Sequence, residues 1–523
     1  MSLNIPLQAH EHFRAAAGTL CRLASAPLYS PSMSRQERPS SRPPNPLLVF
    51  AWVAAVVGLA SLWRRLPVDD AYITFRYAQN LASGAGLVFN PGELVLGTTS
   101  PLWAIVLAVC SVFGLNIEWT ALVLGALCFA ACAALFFVLL TRDLKGWQWL
   151  VWGAAIALYY PLSIVTFSGM ETAAYSLAVA AGLFQLSRGR AISGAALGAA
   201  ATLLRPDGAL VIIAGTIASA QLSGRARLKA LAAYVAILVP FLQESFSAYG
   251  AILPHSVEAK RLLYAVPVWK NALFFLEALS QEPIDAALLC CGAAGLFFAA
   301  RHRDLRPFAL WGALYGGGIV ASGIKPIFFW YFGPLWLLFL TVGVEGLRRQ
   351  LLASSRELPS RLAPALAAAA LCAVSIDVVK RAPGLDAAEA REAAYREALP
   401  ALQKSIAPAD TVLMSEIGIL GAGLPEVKVL DAAGLVSPGI SEIIREEEQK
   451  RGGSFEIGEG CAWLPAILER YQPEWILGVR DQLGISKEPG RPKAAAQYEV
   501  VAEWQPQVFG GLVLLKRAPS AQQ

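Results

Sequence analysis

The sequence predicts an all-α polytopic membrane domain of about 11 transmembrane helices, followed by a C-terminal α/β domain. Of the 523 residues, 56% are hydrophobic and only 15% are charged, whereas soluble domains carry about 45–50% apolar and about 25% charged residues. Long apolar segments recur between residues 47 and 379, and residues 380–523 instead alternate charged stretches with short apolar runs. This composition excludes a soluble enzyme, a disordered chain and a nucleic-acid-binding protein.

The chain divides into three predicted parts. Residues 1–46 are rich in Ser, Pro and Arg and are expected to be a disordered cytosolic segment. Residues 47–379 form the transmembrane domain, in which residues 64–118 are the first outer loop. Residues 380–523 form a small α/β domain outside the cytoplasm.

The spans are predicted from apolar segments and oriented by charge. The segments are 47–63, 119–140, 147–166, 172–187, 191–204, 208–222, 228–246, 284–300, 307–323, 326–346 and 362–379. Lys and Arg concentrate in alternate loops, which places those loops and the N-terminus in the cytoplasm. An odd number of spans then leaves the C-terminal domain outside. The expected location is a bacterial inner membrane, crossed several times.

Two segments decide the number of spans. Residues 191–222 are apolar except for Arg205-Pro206-Asp207, and basic residues flank both ends. We interpret them as two short helices with Arg205 at the outer tip. Residues 100–115 are apolar enough to span, but a span there would put the basic loops on the wrong side. They are predicted to form an interfacial helix.

The C-terminal part shows strand-length apolar runs between helical stretches. The predicted strands are 411–415, 427–431, 474–479 and 511–516, and the predicted helices are 387–406, 440–451 and 462–471.

The strongest chemical signal is the acid pair Asp69-Asp70, shortly after the first span. Asp69, Tyr72 and Arg76 follow the spacing i, i+3, i+7, which puts them on one face of a helix. Carboxylates at such a site can take a proton from a hydroxyl or hold a metal ion. The alternative is a solvated loop in which an Asp caps a helix.

The run DDAYITFRYAQNLASGAGLVFNPGE at residues 69–93, followed by GTTSPLW at 97–103, resembles the first outer loop of the C-type glycosyltransferase superfamily. The resemblance is to the branch that contains the mycobacterial terminal arabinofuranosyltransferases. Further matches follow in order: SGMET at 168–172, LLRPDG at 203–208, YGAILPHSVEAK at 249–260 and VLDAAGLVSP at 429–438. The sequence departs from that branch at GTTSP, where an aromatic residue is expected after the glycine, and at His255, where the family usually has Asn.

The resemblance implies a polyprenyl-phosphate sugar as donor, inversion at the anomeric carbon and an acid of the first outer loop as catalytic base. Asp69 would be that base, and Asp70 would orient the acceptor or share a metal ion. Glu171 would be the second carboxylate, although an acid there could simply favour the start of the next helix. No cofactor is required with certainty, but a divalent cation could bind Asp69, Asp70 and Glu171.

The donor phosphate needs cations, and four residues are predicted to bind it: Arg76, Lys260, Arg205 and His255. Three of them have a structural alternative. Arg205 could pair with Asp207, Lys260 could reach the lipid headgroups, and a lone His is usually structural. Arg261 is expected to be interfacial, and Lys325 is a further candidate.

The predicted function is therefore transfer of a sugar from a polyprenyl-phosphate donor to a cell-envelope glycan, lipid or protein on the extracytoplasmic side. The expected partners are the donor, the acceptor and the lipid bilayer, and no nucleic acid. The alternatives are a secondary transporter or lipid-linked-sugar flippase, and an inactive scaffold. Transporters often have two related halves, and the sequence shows no such repeat.

Overall fold

The described part of the computed structural model comprises residues 45–60, 67–140, 148–354, 376–377, 380–381, 390–452, 461–483, 497–504 and 511–518. Nearly all of the predicted N-terminal segment 1–46, and of the predicted span 362–379, lies outside the described residues.

Residues 46–354 are helical for most of their length. The helices are α1 (Pro46–Ala60), α2 (Asp69–Ala82), α3 (Pro101–Val112), α4 (Ile117–Leu140), α5 (Gln148–Leu158), α6 (Tyr160–Thr166), α7 (Thr172–Ser187), α8 (Ala191–Leu204), α9 (Ala209–Ala218), α10 (Gly224–Tyr249), α11 (His255–Leu263), α12 (Val268–Ala278), α13 (Pro283–Ala299), α14 (Arg306–Ala321), α15 (Gly333–Leu338) and α16 (Val344–Ser354). A π-helical turn, Phe339–Gly343, joins α15 to α16.

Among the described residues, three continuous helices are long and apolar enough to cross a membrane: Ile117–Leu139, Gly224–Tyr249 and Phe329–Leu351. Two bent pairs, α5 with α6 and α12 with α13, raise the number to as many as 5 if each pair counts as one span. The remaining apolar helices are shorter. A largely helical membrane domain is therefore confirmed, and the number of 11 spans stays a prediction.

Prolines and close contacts explain where the apolar segments break. The predicted span 147–166 divides at Tyr159, and α5 and α6 meet at 69°, because Pro161 in the first turn of α6 cannot continue a helix from α5. The predicted pair within 191–222 is observed as α8 and α9, separated by a 3₁₀ turn over Pro206–Gly208. A side chain at Gly208 would overlap the backbone of Ala201, so the turn requires glycine.

The C-terminal domain contains one mixed sheet. Its strands are β1 (Thr411–Met414), β2 (Lys428–Asp431), β3 (Trp475–Val479), β4 (Tyr498–Trp504) and β5 (Leu512–Arg517), in the order β2-β1-β3-β5-β4. The first three strands in that order are parallel, and β5 and β4 add antiparallel partners. Helices α17 (residues 390–405), α18 (Ile419–Ala422), α19 (Pro438–Arg451) and α20 (Leu464–Tyr471) accompany them.

The four predicted strands are all present, and β4 was not predicted. This strand lies at the edge of the sheet, and most of its residues are exposed or half-buried. Its sequence YEVVAEW therefore lacks the buried apolar run from which the others were identified. A small α/β domain after the membrane helices is confirmed.

The segment predicted to be the first outer loop packs directly against the C-terminal domain. The side chain of Asn90 accepts a hydrogen bond from Val429 N (3.0 Å) and donates one to Val429 O (2.9 Å), so it pairs with strand β2. The loops after β1 and β2, at the carboxyl ends of these parallel strands, reach α2 and the GTTSP segment. Helix α2 thus lies between the membrane helices and the sheet.

Candidate active site

A cavity of about 450 Å³ opens between α2, the turn joining α8 to α9, and helices α11 and α14. Four of the predicted site residues line it: Asp70, Glu171, Arg205 and Lys260. Their positions span 191 residues of sequence, from 70 to 260, so only the packing of separate helices brings them together. The other four predicted residues lie elsewhere.

Asp70 directs a carboxylate into the cavity from the first turn of α2. The start of this helix is held in place because Val68 N donates a hydrogen bond to Ser168 O at 3.0 Å, in the SGMET segment. Burial raises the pKa of Asp70 above its ordinary value, and the nearby cations Lys260 and Arg391 partly offset that increase. A carboxylate with a raised pKa is a stronger base and suits proton abstraction.

Asp69 does not line the cavity, and this differs from its predicted place. Its carboxylate accepts hydrogen bonds from Ile419 N at 2.8 Å and Gly418 N at 3.2 Å, both in the C-terminal domain. Burial and the neighbouring Glu416 carboxyl hold the pKa of Asp69 well above its ordinary value. The geometry makes Asp69 a link between the two domains, because both of its oxygens face the 418–419 backbone.

This link predicts a strong effect at Gly418. A side chain there would overlap the carbonyl and carboxylate oxygens of Asp69, so Gly418→Ala should separate α2 from the loop after β1. Overpacking of this kind costs about 1–3 kcal/mol. We expect a lower melting temperature and faster proteolysis between the domains. Gly224→Ala is the matched control because a side chain there meets open space; equal behaviour of the two variants would contradict the link.

Arg76 is also placed differently from the prediction. Its side chain is fully buried and donates to the carbonyls of Phe89 (2.7 Å), Gly421 (2.6 Å) and Val427 (2.9 Å). The guanidinium also stacks on the Phe89 ring at 4.4 Å. Its donors are occupied mainly by main-chain oxygens, so Arg76 holds the C-terminal domain on α2 and does not line the cavity.

Tyr72 and His255 likewise lie outside the cavity. The Tyr72 hydroxyl accepts a hydrogen bond from Arg396 in α17. Tyr72 lines a different cavity. His255 begins α11, and its backbone N–H donates to Leu96 O at 2.9 Å. This bond connects α11 to the residue that precedes the GTTSP segment, so the backbone of His255 helps to position α11.

Glu171 enters the cavity from the SGMET turn. Gly169 in this turn has a φ of +76°, and its carbonyl accepts a hydrogen bond from Trp103 Nε1 at 3.1 Å. Glu171 stands at the N-cap of α7 but makes no side-chain cap bond. Its Oε2 is buried and has no hydrogen-bond partner within the described chain, so this oxygen is available to a ligand.

Arg205 is held in a cage of tyrosine rings. Its guanidinium lies 4.9 Å from the ring centre of Tyr175 and 4.8 Å from that of Tyr331. One terminal nitrogen, Nη2, donates to Asp207 Oδ2 at 2.9 Å and to the Tyr315 hydroxyl at 3.1 Å. The other, Nη1, is buried and unpaired as far as the described residues extend. The predicted Asp207 pair thus exists, and it leaves one donor for an anion.

Lys260 approaches from α11. Its Nζ donates to the Tyr331 hydroxyl at 3.4 Å and lies 5.0 Å from the ring centre of Phe328. Burial favours the neutral amine, but Tyr331, Asp70 and Glu171 outweigh it, so the pKa of Lys260 lies above its ordinary value. Lys260 is therefore a charged ammonium that lines the same cavity as Asp70, Glu171 and Arg205.

Sequence reasoning gave no role to several residues that line the cavity: Thr98, Thr99, Ser100, Leu435, Phe328 and Tyr331. The signals were present, since GTTSP and VLDAAGLVSP were both recognised as motifs. In the motif VLDAAGLVSP, the Asp431 carboxylate accepts hydrogen bonds from Ala433 N (2.9 Å) and Val436 N (3.2 Å). These bonds shape the turn that carries Leu435. Arg261, expected to be interfacial, and Lys325 also border the cavity.

The predicted cation has no complete set of side-chain ligands among the described residues. Across the residues that the structure describes, no group of three or more His, Cys, Asp or Glu side chains is placed to hold a metal ion. Asp70 and Glu171 face the cavity, whereas Asp69 is engaged by the C-terminal domain. The divalent cation stays a prediction.

Parts of this sequence are similar to known proteins. A family described only as a domain of unknown function (DUF8728) matches residues 386–521. A terminal β-(1→2)-arabinofuranosyltransferase of Corynebacterium glutamicum is 36% identical over 150 residues, 28% of this chain and 21% of that protein. The protein of the same name from Mycobacterium tuberculosis is 40% identical over 75 residues, 14% of this chain and 12% of that protein. The matched region is thus about a fifth or less of each relative's length.

Solved structures extend the likeness to nearly the whole chain. ArnT from Cupriavidus metallidurans, bound to undecaprenyl phosphate, superposes with a TM-score of 0.54 at 15% identity, covering 91% of this chain and 98% of ArnT. The chain has the C-type glycosyltransferase fold. The oligosaccharyltransferase of Archaeoglobus fulgidus also matches, with a TM-score of 0.52 at 11% identity over 91% of this chain and 75% of that one. The resemblance predicted from the first-loop motif is therefore confirmed in fold and in local sequence.

Segments from both domains of this fold build the cavity. In this chain the cavity is built by the segment predicted to be the first outer loop, the turn joining α8 to α9, helices α11 and α14, and one turn of the C-terminal domain. Every motif that carried the resemblance contributes lining residues, and the charged residues Asp70, Glu171, Arg205 and Lys260 are among them.

Proposed function

We propose that this protein is a membrane glycosyltransferase that moves a sugar from a polyprenyl-phosphate donor to a hydroxyl of a cell-envelope acceptor, with inversion. The observation that carries the proposal is the cavity itself. It combines two carboxylates, Asp70 and Glu171, with two buried or half-buried cations, Arg205 and Lys260. Transfer from a lipid phosphate requires both a base for the acceptor and cations for the departing phosphate.

Asp70 is the catalytic base in this proposal, in place of Asp69. The acceptor oxygen attacks the anomeric carbon while Asp70 takes its proton, and the bond from that carbon to the phosphate oxygen breaks. The phosphate leaves with the electron pair of that bond. Attack opposite the leaving phosphate inverts the anomeric carbon.

Lys260 and Arg205 stabilise the departing phosphate. The unpaired Nη1 of Arg205 and the ammonium of Lys260 are donors on the cavity wall, and charge-assisted bonds to phosphate are about twice as strong as neutral ones. Undecaprenyl phosphate bound to ArnT, a chain of the same fold, supports a lipid phosphate as the donor's leaving group.

Glu171 has a separate role from Asp70. Its free Oε2 can accept a hydrogen bond from a sugar hydroxyl and orient the donor. A divalent cation, if the reaction uses one, would bind Asp70, Glu171 and the donor's phosphate oxygens, since such cations prefer oxygen ligands.

The direct test is turnover. Purified full-length protein is incubated with a panel of polyprenyl-phosphate pentoses and hexoses, and release of polyprenyl phosphate is measured. We expect release with at least one donor, and release at least about 10²-fold slower from the Asp70→Asn protein. Absence of release with every donor and acceptor tried would contradict the proposal. The sequence relatives are transferases, which favours this function over a transporter or flippase.

The proposal requires the cavity to face outward in the bacterial inner membrane. Alkaline phosphatase is active only outside the cytoplasm, so a fusion after Gln523 should be active and a fusion after Arg303 should be inactive. Arg303 lies between α13 and α14, in a loop predicted to be cytoplasmic. The reverse pattern would place Asp70 in the cytoplasm and contradict an extracytoplasmic transferase.

A further inference from the structure

A second cavity, of about 300 Å³, lies on another face of α2. Along this helix, Asp70, Ile73 and Thr74 line the first cavity, and Tyr72, Phe75 and Gln79 line the second. The spacing 72, 75, 79 is i, i+3, i+7, which keeps these three side chains on one helical face. Helix α2 is therefore a wall common to both cavities.

Both domains build the second cavity. The membrane domain contributes the end of α3 and the start of α4, with Ser111, Asn116 and Glu118. The C-terminal domain contributes α17 and the region of α18, including Arg396 and Ile419. The cavity exists only where the C-terminal domain docks on the first outer loop.

The charges in this cavity are already paired with each other. Arg396 Nη2 donates to Glu118 Oε2 at 2.6 Å and also to the Tyr72 hydroxyl. The first cavity, by contrast, offers Lys260 and an unpaired nitrogen of Arg205. An internally neutralised site has little to attract a phosphate, so the second cavity favours an uncharged ligand.

Hydrogen-bonding capacity nevertheless remains. Arg396 Nε is buried and has no partner in the described part of the chain, and the amide of Gln79 is exposed. Phe75 and Tyr72 stand edge to face with ring centres 4.9 Å apart, and both of these largely buried residues border the cavity. Aromatic rings next to a few polar side chains are typical of sites that orient a small organic ligand.

We propose that the second cavity binds a sugar residue of the acceptor glycan that is remote from the reacting hydroxyl. The ligand class is an uncharged oligosaccharide, because its hydroxyls can both donate and accept while its C–H faces contact the rings. This inference rests on the proposed glycosyltransferase function and specifies the chemical class of the acceptor. Binding energy from a remote residue of the substrate orients the reacting hydroxyl toward Asp70.

The test measures binding without turnover. Full-length Asp70→Asn protein in detergent is titrated with arabino-, manno- and gluco-oligosaccharides of four to six residues. We expect at least one to bind, and Gln79→Ala or Tyr72→Phe added to this background to weaken its Kd by about 3- to 10-fold, the effect of one lost hydrogen bond. Gln449→Ala, on the exposed face of α19, is the matched control and should leave Kd unchanged.

A cavity-filling variant, Ser111→Phe, gives an independent measure and should abolish binding. Thermal melting of each variant shows whether its fold is retained. The proposal is overturned if no oligosaccharide binds, if folded Gln79→Ala, Tyr72→Phe and Ser111→Phe proteins bind normally, or if inorganic phosphate displaces the oligosaccharide from this cavity. Since the readout is binding to an inactive protein, a failure of the donor assay leaves this result intact and separates the two proposals.

Discussion

Asp70→Asn is expected to lower the turnover of glycosyl transfer by about 10²–10⁴-fold, the usual contribution of a general base, with an unchanged folded yield. The amide keeps the shape of the carboxylate but cannot take the acceptor's proton. The measurement is release of polyprenyl phosphate at saturating donor and acceptor, together with thermal melting to compare the folds.

Asp69→Asn is the matched control because it makes the same chemical change one residue away. Asp69 accepts two main-chain hydrogen bonds from Gly418 and Ile419. Asp69→Asn should therefore lower the free energy of unfolding by about 1–3 kcal/mol. It should lower turnover by much less than Asp70→Asn does. A folded Asp69→Asn protein without activity, beside an active Asp70→Asn protein, would return the base role to Asp69.

The pH profile gives a second check on Asp70. Burial raises the pKa of this carboxyl, and the base must be ionised to accept a proton. Activity should therefore be lost as the pH falls through the raised pKa, at a higher pH than the ordinary value of about 3.9 for Asp. An acid limb at or below that ordinary value would contradict the assignment.

Lys260→Ala should lower turnover at saturating donor by about 10²–10³-fold, which corresponds to about 2.7–4 kcal/mol of transition-state stabilisation. Negative charge grows on the phosphate as its bond to the sugar breaks. A cation at that place stabilises the transition state more than the bound donor, so the effect should fall on kcat as well as on KM. Steady-state kinetics with varied donor separate the two constants.

Two variants serve as controls for Lys260. Lys260→Arg keeps the charge and should retain much of the activity. Lys270→Ala removes an exposed lysine of α12, whose ammonium lies 5.6 Å from the Trp269 ring, and should have little effect. An increase of the donor KM alone in Lys260→Ala would make Lys260 a docking contact, and Arg205 would then be the main stabiliser of the leaving phosphate.

The amino-acid pattern determined most of the local structure. Apolar segments and their flanking residues predicted the helical membrane domain, and short apolar runs predicted four of the five strands. The helical spacing of Asp69 and Arg76 was also informative, since both side chains do share a face of α2. Such patterns are readable because burial of apolar side chains and helical periodicity act over a few neighbouring residues.

Only the tertiary structure decided what each face of α2 contacts. Asp69 and Arg76 share the face that packs on the C-terminal domain, through hydrogen bonds that span 345 to 351 residues of sequence. Asp70, one residue further along the chain, faces the cavity instead. Periodicity states which side chains point together, but the surface that they meet depends on long-range packing. For that reason the sequence by itself determined the motif Asp69-Asp70, and the docking of the C-terminal domain decided which of the two acids faces the cavity.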